Sequence, residues 1–271
     1  MTKRTSSPRR RGSSVGMTKH MNINSDTINT WCPGCSNFGI LAAFKNVAQE
    51  MFISGELKKE NLVIAAGIGC HGKMPDFLNF NSFIGLHGRS IPMLVGAKIA
   101  NPNLKVVGFV GDGDAYAEGL DHLLHAAKKN IDMTVIVHNN QIFALTTGQH
   151  TPTSPKGYKT RSAPHGNPEE PFNPLSLLFS AGATFIARSY ALDVKKTQEI
   201  IAAAMRHKGF SFVEIAQPCI TFYDTRAVLK DKMYWVENNT ADDYESANSY
   251  ILDTTKLPLG VFYQVNKSIF E

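Results

Sequence analysis

A doubly wound, mostly parallel α/β sheet is the fold class this sequence predicts, on three observations. Short apolar runs bounded by glycine recur along the chain. They are apolar at nearly every residue, which suits strands buried on both faces. Stretches with helical periodicity lie between them, and alternating strand and helix marks parallel βαβ units. The 271 residues are 43% hydrophobic and 19% charged, so a sizeable core can form, and a disordered chain or a coiled coil is excluded. No apolar run of about 18 residues predicts a membrane-spanning helix, and the first residues lack the apolar core of a secretory signal.

Taken in order, residues 1–27 read as a disordered basic tail. They hold Lys3, Arg4, Arg9, Arg10, Arg11 and Lys19 against Asp26, which is the whole of the net charge of +5. The remaining chain is neutral, so the basic balance reports a tail and not a nucleic-acid-binding face. Met17 or Met21 could also be the start. Residues 28–221 form the expected domain. Asn37–Phe52 has helical spacing in Phe38, Leu41, Ala42, Phe44, Ala48 and Phe52. Leu62–Ala66, Val106–Val110 and Met133–Val137 read as strands, as do Thr184–Ala187 and Ser211–Ala216. Helices are expected over Ala117–Lys129 and over Asp193–Lys208, the latter capped by Asp193. Residues 141–175 carry six prolines and little periodicity, and so long a loop suggests a lid or binding loop. Residues 222–271 read as a C-terminal wrapping segment or a partner contact.

Ligands of open α/β sheets bind where the strands end at their C-terminal edges. Here those ends carry Gly67-Ile68-Gly69-Cys70, Gly111-Asp112-Gly113-Asp114, His138-Asn139-Asn140 and Gln217-Pro218-Cys219. Two motifs at the first end are decoys. Residues 67–72 fit G-x-G-x-x-G, but the residues that follow make a poor helix and no acid stands about 20 residues on. Gly72-Lys73 nearly completes a P-loop, but Met74 stands where the Mg²⁺-ligating hydroxyl belongs. The second and third ends suit a Mg²⁺–diphosphate site better. Mg²⁺ prefers carboxylate, carbonyl and phosphate oxygens. Asp112 between two glycines, the Asn140 amide and the Ile142 carbonyl offer the protein's share. Each motif alone could be an ordinary turn.

The four cysteines are Cys32 and Cys35 in C-x-x-C, and Cys70 and Cys219 at strand ends. Four thiolates fit Zn²⁺ or an iron–sulfur cluster. A zinc ribbon usually shows a second C-x-x-C, which is absent, and disulfides suit secreted chains.

Gly111-Asp112-Gly113 followed by Asn139-Asn140 resembles the thiamine-diphosphate motif. Together with Trp31-Cys32-Pro33-Gly34-Cys35, GIGC at 67–70, LHGR at 86–89 and LTTGQ at 145–149, the chain resembles the β subunit of 2-oxoacid:ferredoxin oxidoreductases. The resemblance runs from about Trp31 to Phe222, with a looser echo at Leu257–Phe262. It implies the thiamine-diphosphate-binding fold of the pyrophosphate type. It implies a [4Fe–4S] cluster on Cys32, Cys35, Cys70 and Cys219, and Mg²⁺ on Asp112, Asn140 and Ile142. Cofactor contacts are implied for Ile68, Gly69, Cys70, His71, His87, Gly111, Gly113, Asp114, Ala144 and Leu145. His71 departs from the small hydroxyl residue common in relatives. No catalytic side chain is assigned.

The implied reaction is oxidative decarboxylation of a 2-oxoacid, with coenzyme A accepting the acyl group and electrons leaving through the cluster to ferredoxin. One α/β domain leaves no room for the glutamate that thiamine enzymes place against the aminopyrimidine, so an α subunit is expected. Leu145, and a Thr147 where relatives often carry a basic residue, lie in the family's variable pocket; Leu145 resembles 2-oxoglutarate or broad-specificity members, with pyruvate and branched-chain acids open. A cytoplasmic enzyme is expected. A non-redox thiamine enzyme and a zinc-bearing scaffold are the other classes.

Overall fold

The computed structural model describes residues 22–237 and 241–270. Helix α1 (Asn37–Ile53) leads into strand β1 (Leu62–Ala66), and β2 (Asn81–Ile84) follows after two short 3₁₀ turns. Next come α2 (Ser90–Ala100), β3 (Lys105–Gly111), α3 (Leu120–Lys128) and β4 (Met133–Asn139). A two-stranded hairpin, β5 (Ile142–Phe143) with β6 (Gln149–His150), opens the long loop. Then follow α4 (Pro174–Ala181), β7 (Phe185–Tyr190), α5 (Val194–Arg206) and β8 (Phe210–Ala216). The chain ends in α6 (Arg226–Lys232), β9 (Met233–Trp235), α7 (Tyr244–Ile251) and β10 (Leu257–Gln264).

Eight strands form one sheet in the order β2-β1-β3-β4-β8-β7-β10-β9. Every pairing is parallel except β10 with β7. Both faces are covered, and the strands divide their side chains between them by alternation. Leu62, Ile64, Val107, Phe109, Ile136, Val213 and Ile215 pack under α1 and α5. Val106, Val110, Val135, Val137, Phe210 and Phe212 pack under α2, α3, α4 and α7. This is the doubly wound architecture, and it explains why these strands read as continuous apolar runs. Among the described residues no helix is long and apolar enough to cross a membrane.

Three expectations need correction. Residues 1–21 of the predicted tail lie outside the described residues, but 22–27 pack on the domain. Ile23 is buried in the core and Asn24 bridges to Leu78, because one apolar residue in a polar segment suffices to anchor it. The helix expected from Ala117 starts at Leu120. Gly113–Ala117 winds instead as a π-helical turn, a form frequent at functional sites. Residues 222–271 do more than wrap: β10 joins the main sheet beside β7, and its apolar side chains Leu259 and Phe262 are buried. Asp193 caps α5 as expected, accepting a hydrogen bond from Lys196 N at 3.1 Å.

Candidate active site: two adjoining cavities at the sheet edge

β1, β3, β4 and β8 run parallel, so their C-terminal ends open on one rim. A cavity of about 440 Å³ lies there. Its wall contains every residue expected to hold the diphosphate or Mg²⁺, from Ile68 to His71, His87, Gly111 to Asp114, Asn140, Ile142, Ala144 and Leu145. Phe143 and Thr146 complete it. The glycines are dictated by space. A Cβ on Gly113 would stand 2.2 Å from the Phe143 ring, and one on Gly111 would stand 2.7 Å from the His71 ring.

Asp112 is buried at the cavity wall and has no cationic side chain as partner among the described residues. Its Oδ2 accepts from Thr151 Oγ1 at 2.6 Å and from Thr153 Oγ1 at 2.9 Å. Burial outweighs these bonds and pushes its pKa up to about 6. A buried carboxylate in the cavity wall with no cationic side chain beside it is a fit for a divalent cation. Asn140 is oriented to help. Its Nδ2 donates to Gln217 Oε1 at 3.2 Å, which turns Oδ1 the other way, where it accepts from Ile142 N at 3.1 Å and keeps a second lone pair. Gln141, with φ 62°, makes the reversal that brings Ile142 back to the same wall.

Asp114 lines the cavity with one oxygen bound to the protein and the other, Oδ2, buried without a hydrogen-bond partner. Oδ1 accepts from Gly88 N at 2.8 Å and from Ile68 N at 3.2 Å, tying the first rim loop to the segment carrying His87. His87 Nδ1 lies 3.1 Å from the same oxygen, a charge contact without hydrogen-bond alignment. His71 Nε2 accepts from Gly111 N at 3.1 Å, so in the neutral ring the proton sits on Nδ1. Nε2 also stands 3.6 Å from Asp114 Oδ2 and attracts that carboxylate only when the ring is protonated. Burial alone would raise the Asp114 pKa, but the protonated form of His71 together with the Gly88 and Ile68 amides holds it below the usual carboxylate range.

The four cysteines line an adjoining cavity of about 650 Å³. All are free thiols. Three hydrogen bonds assemble them. Trp31 Nε1 donates to Cys70 O at 2.7 Å, fastening the C-x-x-C strap to the end of β1. Ser36 Oγ donates to Pro218 O at 2.6 Å and accepts from Gln217 Nε2 at 2.9 Å, fastening the start of α1 to the loop carrying Cys219. Burial and the neighbouring thiols push Cys70 up to about 11, and burial raises Cys35 while Cys219 and Cys32 add to the effect. Four gathered thiols whose deprotonated forms would repel one another fit a polycationic centre. The two cavities share Cys70, Asn140, Ala144 and Leu145 in their walls.

Several site residues carry no motif. Thr151 and Thr153 return from the long loop to Asp112. Behind them lies a buried pair, Arg188 Nε with Glu214 Oε2 at 2.8 Å. Glu214 Oε1 accepts from Asn139 Nδ2 at 2.9 Å and Tyr116 OH at 3.2 Å, which explains the first asparagine of the pair. Asn139 Oδ1 in turn lies 3.1 Å from Thr153 Oγ1. The only signal for the threonines was the length of their loop. For Arg188 and Glu214 it was a charge inside each of two apolar strands.

Residues 67–215 match the family described as thiamine pyrophosphate enzyme, C-terminal TPP binding domain. The chain is 39% identical over 253 residues to the 2-oxoacid:ferredoxin oxidoreductase subunit beta of Saccharolobus solfataricus, covering 87% of this chain and 82% of that one. It is 41% identical over 191 residues to the 2-oxoglutarate synthase subunit KorB of Archaeoglobus fulgidus, 70% of each chain. A solved 2-oxoglutarate:ferredoxin oxidoreductase from Magnetococcus marinus, with 2-oxoglutarate, coenzyme A and succinyl-CoA bound, superposes with a TM-score of 0.86 at 34% identity, over 92% of this chain and 85% of that one. With the thiamine-binding family matched over more than half of the chain, and relatives this similar over most of both chains, this chain belongs to the β subunits of the 2-oxoacid:ferredoxin oxidoreductases.

Proposed function

We propose that this β subunit binds thiamine diphosphate through Mg²⁺, carries a [4Fe–4S] cluster, and with an α subunit oxidises 2-oxoglutarate in the cytoplasm, passing electrons to ferredoxin and the acyl group to coenzyme A. The observation that carries the reading is the common wall of the two cavities, which sets a diphosphate-type site beside four thiols. Bound thiamine diphosphate supplies the carbon nucleophile for decarboxylation, and a cluster supplies one-electron transfer. Asp112, Asn140 and the Ile142 carbonyl would hold the Mg²⁺. Gly111 and Gly113 leave room for close backbone approach, and Asp114 keeps the Ile68 and His87 segments in register. Cys32, Cys35, Cys70 and Cys219 would hold the cluster.

Among the described residues no three His, Cys, Asp or Glu side chains converge closely enough for a single metal ion. A single C-x-x-C favours a cluster over the zinc alternative, since a zinc ribbon usually carries two. Beside the cofactor cavity Ile68, Leu86 and Leu145 are exposed, Leu86 at 78%, and a partner subunit seated there would cover them. Leu145 stands in both cavity walls, and the relatives named for 2-oxoglutarate support that acid as substrate. The free thiols suit a reducing compartment.

The test is iron and acid-labile sulfide in anaerobically purified complex, then kcat/KM for 2-oxoglutarate, pyruvate and a branched-chain 2-oxoacid. About four irons and four sulfides per chain are expected, with 2-oxoglutarate preferred. Zinc in their place would leave a thiamine enzyme with a structural metal, and clear pyruvate preference would overturn the substrate assignment.

A further inference from the structure

Asn37, in the first turn of α1, is fully buried and forms part of the wall of the cysteine cavity. Its amide faces two ways. Oδ1 lies 2.7 Å from Nδ1 of His138, a buried residue near the end of β4. Nδ2 is buried and has no hydrogen-bond partner. A buried amide N–H without an acceptor is rare and calls for one. With the cluster in place the amide cannot profitably be reversed, because Oδ1 would then turn its lone pairs toward the ligating sulfurs. With Oδ1 as acceptor, the His138 proton must sit on Nδ1. The other ring nitrogen, Nε2, is buried without a partner, and the ring lies against Phe109 and His71 at 5.9 Å each. His138 is thus a neutral, sterically fixed donor whose one hydrogen bond holds Asn37. The cluster sulfur it meets is that of Cys35, two residues before Asn37 in the chain and in the same cavity wall.

We propose that Asn37 donates a hydrogen bond from Nδ2 to the Cys35 sulfur of the iron–sulfur cluster, held in that orientation by His138 Nδ1–H, and that the pair raises the cluster's reduction potential. The inference rests on the cluster reading above. Its physical basis is that reduction adds a negative charge to the cluster, so an N–H aimed at a ligating sulfur stabilises the reduced form more than the oxidised one. Both are positioning residues, since His138 acts through Asn37 and neither is a ligand.

The experiment uses the anaerobically purified complex with its α subunit. Iron and sulfide are measured first, then the cluster's midpoint potential by redox titration followed by electron paramagnetic resonance. Asn37→Leu removes the donor at similar volume, and Asn37→Asp replaces it with an acceptor at the same shape. His138→Asn keeps an N–H near the place of Nδ1, and His138→Leu removes it. Both Asn37 variants and His138→Leu are expected to keep iron and sulfide and to shift the potential to more negative values. His138→Asn is expected to stay near the wild type. An unchanged potential in an iron-replete Asn37 variant overturns the proposal, and so does loss of the cluster from both, which would make Asn37 part of the site's framework. Equal shifts in the two His138 variants refute the role given to Nδ1. A wild-type complex without iron and sulfide removes the cluster reading itself, and the inference with it.

Discussion

Asp112→Asn should stabilise the protein without its ligands and cripple it with them. The folded chain holds the Asp112 carboxyl at about 6, against 3.8 for the ordinary group, because burial outweighs the bonds from Thr151 and Thr153. Between those two values the folded protein keeps a proton that the unfolded chain has lost. The stability due to that proton is full below 3.8 and is lost as pH rises through 6. At about 1.36 kcal/mol per pH unit, the loss comes to roughly 3 kcal/mol at neutral pH. Asparagine carries no charge and still offers an oxygen to the two threonines. In chelator near neutral pH, Asp112→Asn should therefore be more stable than the wild type by up to about 3 kcal/mol, and the gap should close near pH 4. Mg²⁺ with thiamine diphosphate at about 100 times its Kd should stabilise the wild type by about 2.7 kcal/mol and the variant hardly at all. Urea unfolding followed by circular dichroism, across pH and with or without ligands, reads all of this. A wild type at least as stable as the variant in chelator at neutral pH would refute the argument that Asp112 awaits a cation.

Other outcomes follow from the same geometry. Gly113→Ala puts a methyl group 2.2 Å from the Phe143 ring. Thiamine diphosphate affinity, followed by fluorescence titration, should fall at least about tenfold, or about 1.4 kcal/mol, and Gly113→Ala with Phe143→Leu should recover part of it. Glu214→Gln strands the buried Arg188 guanidinium. It should cost about 3–5 kcal/mol in denaturant unfolding, and pairing it with Arg188→Met should restore much of that; little recovery would show that Glu214 acts mainly through Asn139 and Tyr116. Cys219→Ser should lower iron per chain in anaerobic protein while leaving thiamine diphosphate binding measurable, because Cys219 lines only the second cavity.

The fold class and the chemistry of the strand ends were legible because both are local. Continuous apolarity in Leu62–Ala66 or Met133–Val137 reports burial on both faces, and burial on both faces requires a parallel sheet covered by helices. Glycines flanking Asp112, and two cysteines three residues apart, carry their geometry in adjacent positions. Boundaries were less legible. Gly113–Ala117 winds as a π-turn because Asp114 reaches back to Ile68 and Gly88, partners far away in the chain. Nor did the composition of 222–271 announce that β10 would pair with β7, since a mixed polar and aromatic stretch suits an edge strand as well as a tail. What the sequence by itself determined was therefore the kind of sheet and the donor groups set along its edge. Only the tertiary structure decided that Thr151 and Thr153 return to Asp112, that Trp31 and Ser36 gather four thiols, and that His138 aims Asn37. The reason is physical: a motif is fixed by the bonds between neighbours, whereas a contact across scores of residues is fixed only when strand register and loop closure bring its two ends together.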